Sequence, residues 1–379
     1  MKTKNKPLLG LCCYLLLTFV ACEAKEQTGP SSYPVYDSGA WADGTGIPDI
    51  FWLDNNRVLF RGSEESEKRK QPQGRFNLSI WDIGKSVGAY SKGVDRIQGT
   101  LGRLCYREEI IFYPLLEKDV KGNGQYKYGK LGQEKTFIRP KSAKTILDTM
   151  NCRLHDVEAL MKERKGHAIR QLLDRHGYLD LGPLGGDKNN FVNFHRADGK
   201  VIELPLRKGN LWAPEQLDYV AFKDAYFIST YYYDDTHRRS SGNVWPKTVT
   251  RNVWWFYPDG RVEAVKFPDG PWVKETKPGS GYVTYNTKLY STRDGYFLSA
   301  GEVKNTKDPG TAGAYFLRDG KLTKLIGGNF RDPTVSPDGC MVAFVHYPYA
   351  DATIADDPAP ITLKAVDLCP NKEEKRHGQ

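Results

Sequence analysis

Several catalytic signatures are missing from this 379-residue sequence. No GxSxG occurs, and the nearest string, "PGSGY" (278–282), lacks the spacing that lifts a serine onto a nucleophile elbow. Neither a glycine-rich phosphate loop nor an HExxH is present, so no cofactor is implied. Cysteine is scarce, at 7 residues, and the mature cysteines do not fall into the CxxC spacing of a metal site. The net charge of +9 is mild for this length, and its basic residues are scattered rather than massed, which leaves no nucleic-acid footprint. What these absences do not exclude is a glycosidase, whose carboxylates come from distant parts of a chain.

The first segment sets the compartment. Lys2, Lys4 and Lys6 precede an apolar run from Leu8 to Ala21, which is short for a membrane span and right for the core of a signal peptide. The run has no amphipathic pattern that would favour a retained buried helix. Its end, "FVAC" (19–22), resembles the lipobox of bacterial lipoproteins, which implies a signal peptide of residues 1–21 and lipid attachment at Cys22. Phe19 stands where that family usually has leucine, so cleavage after Ala24 is the other reading. Glu23, rather than aspartate, after the cysteine resembles outer-membrane sorting. The expected location is therefore the bacterial envelope, with the domain exported and lipid-anchored to the outer membrane, facing the periplasm. Loss of residues 1–21 removes three lysines and no acid, leaving 52 basic against 46 acidic residues, or +6. Residues 22–32 read as a polar tether and residues 370–379 as a charged, frayed tail.

Repeats carry most of the architectural information. "FVNFHRADGKVIELPL" (191–206), "VWWFYPDGRVEAVKF" (253–267) and "GAYFLRDGKLTKLIG" (313–327) share an apolar run, Asp-Gly and an alternating strand. Their aspartates, Asp198, Asp259 and Asp319, recur at intervals of 61 and 60 residues. Asp-Gly suits a tight hairpin because glycine takes positive φ without a Cβ clash and aspartate tolerates it. A second hairpin class falls between them, in "TKLYSTRDGYFLSAG" (287–301) and "DPTVSPDGCMVAFVHY" (332–347). Less regular versions are "DIFWLDNNRVLFRG" (49–62) and "LDYVAFKDAYFISTYYY" (217–233). Two hairpins per unit make a four-stranded unit.

Repeated four-stranded antiparallel units predict an all-β fold, a β-propeller, because each sheet covers its neighbour's apolar face and closure protects the edges. A β-sandwich would not return the same hairpin at a period near 60 residues. "FRDPTVSPDGCMVAFVHYP" (330–348) and "IPDIFWLDNNRVLFRG" (47–62) resemble the TolB-type propeller motif of strand, Pro-Asp-Gly-like turn and apolar strand. The propeller is expected over residues 33–369 as six blades, at 47–95, 96–145, 146–208, 213–268, 280–327 and 328–369. A small helical insertion is expected at 156–177 in the third, on its apolar pairs and the closing Gly177. "SYPVYDS" (32–38) is positioned to complete the last blade. The same register sets Cys340 beside Cys369, within disulfide reach, and leaves Cys105 and Cys152 by elimination.

In a four-stranded meander the first and third connections share one rim, and the second connections share the other with the links between blades. The second connections read as long and polar: 63–75, 116–133, 234–243, 302–313 and 348–360. Long loops on a rigid scaffold are where binding chemistry gathers. The densest is "YYYDDTHRRSSGNVW", which supplies Tyr231, Tyr232, Tyr233, Asp234, Asp235, His237, Arg238, Arg239 and Trp245 as candidate binding residues. Its rings offer flat amphipathic area, its arginines bidentate anion recognition and its acids a place for amines. Asp234, Asp235 and His237 are too nonspecific a set to imply a metal, as are Asp351, Asp356 and Asp357. Two functions follow: a noncatalytic module that binds an envelope protein or cell-wall component, or a carbohydrate-active enzyme using carboxylates around the channel mouth.

Overall fold

The computed structural model describes residues 33–42, 50–64, 75–95, 104–139, 145–148, 152–156, 170–172, 176–180, 192–204, 216–233, 249–265, 286–301, 313–347 and 361–370. The chain separates into two units, 1–31 and 32–379, and all described residues belong to the second. Among them no helix is long and apolar enough to cross a membrane.

The described residues are almost entirely strand. β1 (Val35–Ala42) precedes a first sheet of β2 (Ile50–Trp52), β3 (Arg57–Glu64), β4 (Arg75–Asp82) and β5 (Val87–Asp95). A second comprises β6 (Cys105–Arg107), β7 (Ile110–Lys118), β8 (Gly124–Lys130) and β9 (Lys135–Arg139). The hairpin β10 (Thr145–Asp148) and β11 (Arg153–Asp156) follows. Next come β12 (Arg170–Leu172), β13 (Gly177–Asp180), β14 (Val192–Arg196) and β15 (Val201–Leu204). β16 (Gln216–Val220), β17 (Ala225–Tyr233), β18 (Val249–Phe256) and β19 (Val262–Val265) form another meander. So do β20 (Asn286–Thr292), β21 (Gly295–Gly301), β22 (Gly313–Arg318) and β23 (Lys321–Gly327). β24 (Asn329–Val335), β25 (Met341–Tyr347) and β26 (Thr362–Asp367) end the series.

Alternation along the strands shows how the sheets stack. In β25 every residue is buried, because both faces are covered. Met341, Ala343, Val345 and Tyr347 pack with Trp52, Val58, Phe60 and Trp81 of the first sheet. Their neighbours Val342 and Phe344 pack the other way, with Phe297, Ala314 and Phe316. Leu289, Leu298, Tyr315 and Leu317 in turn cover Phe227, Val253 and Trp255 of the β16–β19 sheet. Phe256 continues the series by an edge-on contact with Phe194 of β14, their centroids 4.5 Å apart. In the other direction, Leu59, Leu78 and Val94 of the first sheet meet Leu104, Ile111 and Tyr113 of the second. Successive meanders stacked through both faces in this way are the architecture of a β-propeller.

The N-terminal strand completes the last sheet. Val35, Tyr36 and Asp37 pair with Val366, Ala365 and Lys364 of β26. Beyond a bulge, β1 also crosses to the first sheet, where Ala40, Trp41 and Ala42 pair with Glu64, Ser63 and Gly62. Glycine is required at 62, since an added Cβ would lie 2.1 Å from the Trp41 carbonyl oxygen. Cys340 and Cys369 are joined by a disulfide between Cα atoms 5.3 Å apart, and Cys105 and Cys152 by a second, at 5.6 Å.

Three sequence expectations need correction. Where a helix was expected at 156–177, Asp156 ends β11, Arg170–Leu172 is strand paired to β13, and Gly177 opens β13; residues 157–169 and 173–175 lie outside the described ones. At 170–172 helical spacing is outweighed by a partner strand, which supplies backbone hydrogen bonds that local propensity cannot anticipate. The expected third blade, 146–208, is divided, because β10–β11 forms a separate hairpin tied by Cys152 to the second sheet. The expected long connection at 116–133 is instead the end of β7, a tight turn at 119–123, strand β8 and the start of the next turn. That turn is set by Asp119, whose Oδ1 accepts from the amides of Lys121 (2.9 Å) and Asn123 (2.6 Å).

Candidate binding face

The rim of first and third connections is well defined, and its aspartates have structural work. Asp198 Oδ1 accepts from the Lys200 amide at 3.1 Å, and Asp259 Oδ1 from the Arg261 amide at 2.8 Å. Asp338 Oδ1 accepts from the Cys340 amide at 3.1 Å and from the Ser336 hydroxyl at 2.7 Å. Asp54 Oδ1 takes the amides of Asn56 and Arg57, each at 2.8 Å. Burial opposes ionisation of Asp54, but these amides and the Arg57 guanidinium more than offset it and hold the carboxyl below its ordinary range. The Lys200 amide, with Arg196 beside it, lowers Asp198 in the same way. A carboxylate held ionised by backbone N–H groups is a poor general acid.

The turns differ in type. At Asp319-Gly320 both residues have positive φ, 51° and 73°, as a two-residue hairpin requires. Asp198 and Asp259 keep ordinary φ; there Gly199 (86°) and Gly260 (94°) alone take the left-handed position, each amide bonding back three residues to Arg196 and Tyr257.

This rim also joins sheets to one another. The Asp338 amide donates to Asn55 Oδ1 at 3.0 Å, and the Arg293 amide to the Gly339 carbonyl at 2.8 Å. Phe222, from the β16–β17 turn, lies so close to Gly339 that a Cβ there would sit 2.6 Å from its ring. Arg196 Nη1 donates to the Asp259 carbonyl at 3.2 Å. Tyr90 donates to Glu134 and accepts from the Gly132 amide, tying β5 to the β8–β9 turn. Burial, and then the Glu134 carboxylate, push the Tyr90 phenol above its ordinary range. The chemistry of this face is mechanical coupling between sheets.

The opposite rim receives the described part of the segment singled out from sequence. β17 starts at the Ala221–Lys223 turn and ends at Tyr233, so Tyr231, Tyr232 and Tyr233 reach the second-connection rim, paired through their backbones with Arg251, Thr250 and Val249. Asp234, Asp235, His237, Arg238, Arg239 and Trp245 lie outside the described residues, as do Cys22, Asp351, Asp356 and Asp357. Among the described residues no group of three or more His, Cys, Asp or Glu could hold a metal ion.

Two buried polar residues approach this rim that sequence reasoning passed over. Arg61, 2% exposed, lies in the second half of β3, the strand that enters the second connection of the first sheet. His346, 6% exposed, is the penultimate residue of β25; its Nε2 is 2.9 Å from the Gly327 carbonyl oxygen. Burial dominates the pull on the imidazole and lowers its pKa. The signal for Arg61 was present in "VLFRG", a cation inside an otherwise apolar strand.

No family model and no curated protein matches the chain. Among solved structures, it is similar to hydrazine synthase of Kuenenia stuttgartiensis, with 11% identity, a TM-score of 0.41 and coverage of 81% of this chain and 94% of that one. The β-propeller domain of Swd1 from Myceliophteria thermophila aligns at 8% identity and a TM-score of 0.36, covering 88% and 99%. The β-propeller domain of the Trilobed protease from Pyrococcus furiosus aligns at 9% identity and a TM-score of 0.30, covering 79% of each chain.

Proposed function

We propose that this chain is an envelope-anchored, noncatalytic β-propeller of six blades, related to the TolB type, that holds a protein or cell-wall partner through its second-connection rim. The observation that carries this reading is the division of labour between the rims. The turn aspartates on the first and third connections are committed to backbone amides and to contacts between sheets. Recognition then falls to the other rim, where β17 delivers Tyr231–Tyr233 and the sequence continues into acids, arginines and Trp245. The lipobox-like "FVAC" supports a lipid at Cys22, and residues 22–32 are long enough to act as a polar tether.

The test is capture from envelope extract by the full chain, beside a chain carrying Tyr231→Ala, Asp234→Ala and Arg238→Ala. A partner retained by the first and lost by the second supports the reading. Turnover of envelope glycans by the purified chain, abolished by replacing one carboxylate on this rim, would overturn it in favour of a carbohydrate-active enzyme. Mass spectrometry of the mature N-terminus addresses the anchor: an acylated Cys22 supports it, and an unmodified N-terminus after Ala24 refutes it.

A further inference from the structure

Outer strands of stacked sheets expose an edge, and most of those described here carry protection. β5 is itself paired with β7 at Val94 and Leu115, and it shifts register twice against β4, between Phe76 and Ser79. The middle of β15 carries Glu203 and that of β19 carries Glu263. β23 contains Lys321 and Lys324, and its ladder shifts opposite Ala314 and Tyr315. β1 is paired on both sides. Bulges and charges of this kind discourage a further strand from adding.

β9 has none of these in its centre. It pairs with β8 in an unbroken register from Gly124↔Arg139 to Tyr128↔Lys135, and no strand among the described residues pairs with its other edge. Its middle, Thr136, Phe137 and Ile138, is uncharged; Phe137 is 36% and Ile138 47% exposed, and as neighbours in a strand they project from opposite faces. Phe137 also extends a row of rings across the sheet. Tyr126 lies 6.5 Å from it, and Phe112 stacks on Tyr126 at 5.2 Å. A strand added beyond β9 would find an aromatic neighbour on one face and an aliphatic one on the other.

We propose that β9 is a docking edge for an extended polypeptide segment with an apolar centre and acidic flanks, which adds as a further strand to the β6–β9 sheet. Charge selects this occupant. A second copy of β9 pairing antiparallel about Phe137 would place Lys135 opposite Arg139 at both ends, and like charges directly opposite destabilise a pair of strands. Acids at those two positions meet cations instead. Main-chain hydrogen bonds supply affinity and the alternating side chains supply selectivity, as in other cases of strand addition. This edge lies in a different sheet from Tyr231–Tyr233 of β17, and the variants that test it leave residues 231–245 unchanged, so the two proposals can fail independently.

The probe is a fluorescein-labelled peptide, STDVVVDTS, whose two aspartates fall opposite Lys135 and Arg139 when its central valine meets Phe137, titrated into the full chain and followed by anisotropy. Saturable binding is expected, weakened by about tenfold or more in Ile138→Lys and in Lys135→Glu. Val201→Lys, on the outer strand β15, should leave it unchanged. A peptide with alternate backbone nitrogens methylated should not bind, because it cannot complete the ladder. Absence of saturable binding, equal binding of the methylated peptide, or indifference to both β9 variants would overturn the proposal. So would self-association of the chain that Ile138→Lys abolishes, since the occupant would then be a second copy. Thermal unfolding of each variant, expected near that of the parent, separates lost docking from lost structure.

Discussion

Trp52 donates its indole N–H to the backbone carbonyl of Thr334 at 3.0 Å, across 282 residues of chain. The bond joins the first sheet to the last, where the Trp52 ring is also buried among Val58, Ala343 and Val345. Closure of the series therefore depends on one side chain in two ways, by area and by a polar contact. Trp52→Phe keeps most of the area and loses the bond, and should cost about 1 kcal/mol. Trp52→Ala loses both and should cost about 3–5 kcal/mol. Urea unfolding of the two variants measures the split, and equal losses would show that the hydrogen bond contributes nothing.

Gly62 tests the second half of closure. A methyl group there meets the Trp41 carbonyl at 2.1 Å and the Phe60 ring at 2.7 Å, so Gly62→Ala must push β1 away from β3. The expected cost is about 1–3 kcal/mol. Hydrogen exchange at Ala40–Ala42 should accelerate, while Val35–Asp37, held by β26, should change less. Uniform acceleration along β1 would mean that the strand docks as one piece.

The disulfides should differ in what their removal does. Cys340 and Cys369 close 29 residues, and replacing both by serine should lower stability by about 3.5 kcal/mol in the chain-entropy account. Cys105 and Cys152 close 47 residues and hold the β10–β11 hairpin to the second sheet, so their loss should cost about 4 kcal/mol and in addition loosen that hairpin. Thermal unfolding of the two double variants, with exchange at Thr145–Asp156, decides between global and local effects.

His346 sets a pH dependence of stability. Burial, first of all, lowers its pKa from the ordinary 6.5, with Lys364 adding to the effect and the Gly327 carbonyl and Asp37 opposing it. The unfolded chain therefore takes up the proton first as pH falls. The contribution to stability is full above about pH 6.5 and is lost as pH drops from there towards the folded-state pKa. His346→Gln should flatten this part of the stability profile. A wild-type profile already flat between pH 6.5 and 5 would show that the folded imidazole protonates as readily as the unfolded one.

Lowered carboxyls act in a separate, more acidic window. Asp54, held down by Asn56 and Arg57 against its burial, stabilises the fold above its unfolded pKa near 3.8, and this is lost as pH falls further. Asp54→Asn should therefore reduce the loss of stability below pH 4 and leave the His346 slope intact. Denaturant midpoints measured across both ranges test the two residues independently.

The sequence by itself determined what short-range chemistry can determine. Asp198, Asp259, Asp319 and Asp338 marked hairpin turns because Asp-Gly carries its own backbone preference, and the apolar run at 341–347 marked a strand covered on both faces. Residues 35–37 completing the last sheet followed from counting strands against hairpins. Tertiary structure decided the rest, because it depends on partners far away in sequence. Residues 170–172 became strand when β13 offered them an edge, and 124–130 became strand between β7 and β9 where composition suggested a loop. Nor does the sequence reveal that the turn aspartates are occupied by backbone amides, that Trp52 reaches Thr334, or that Phe137 and Ile138 share an exposed edge. Each of these is a relation between strands, and only the register of the assembled sheets brings its members together.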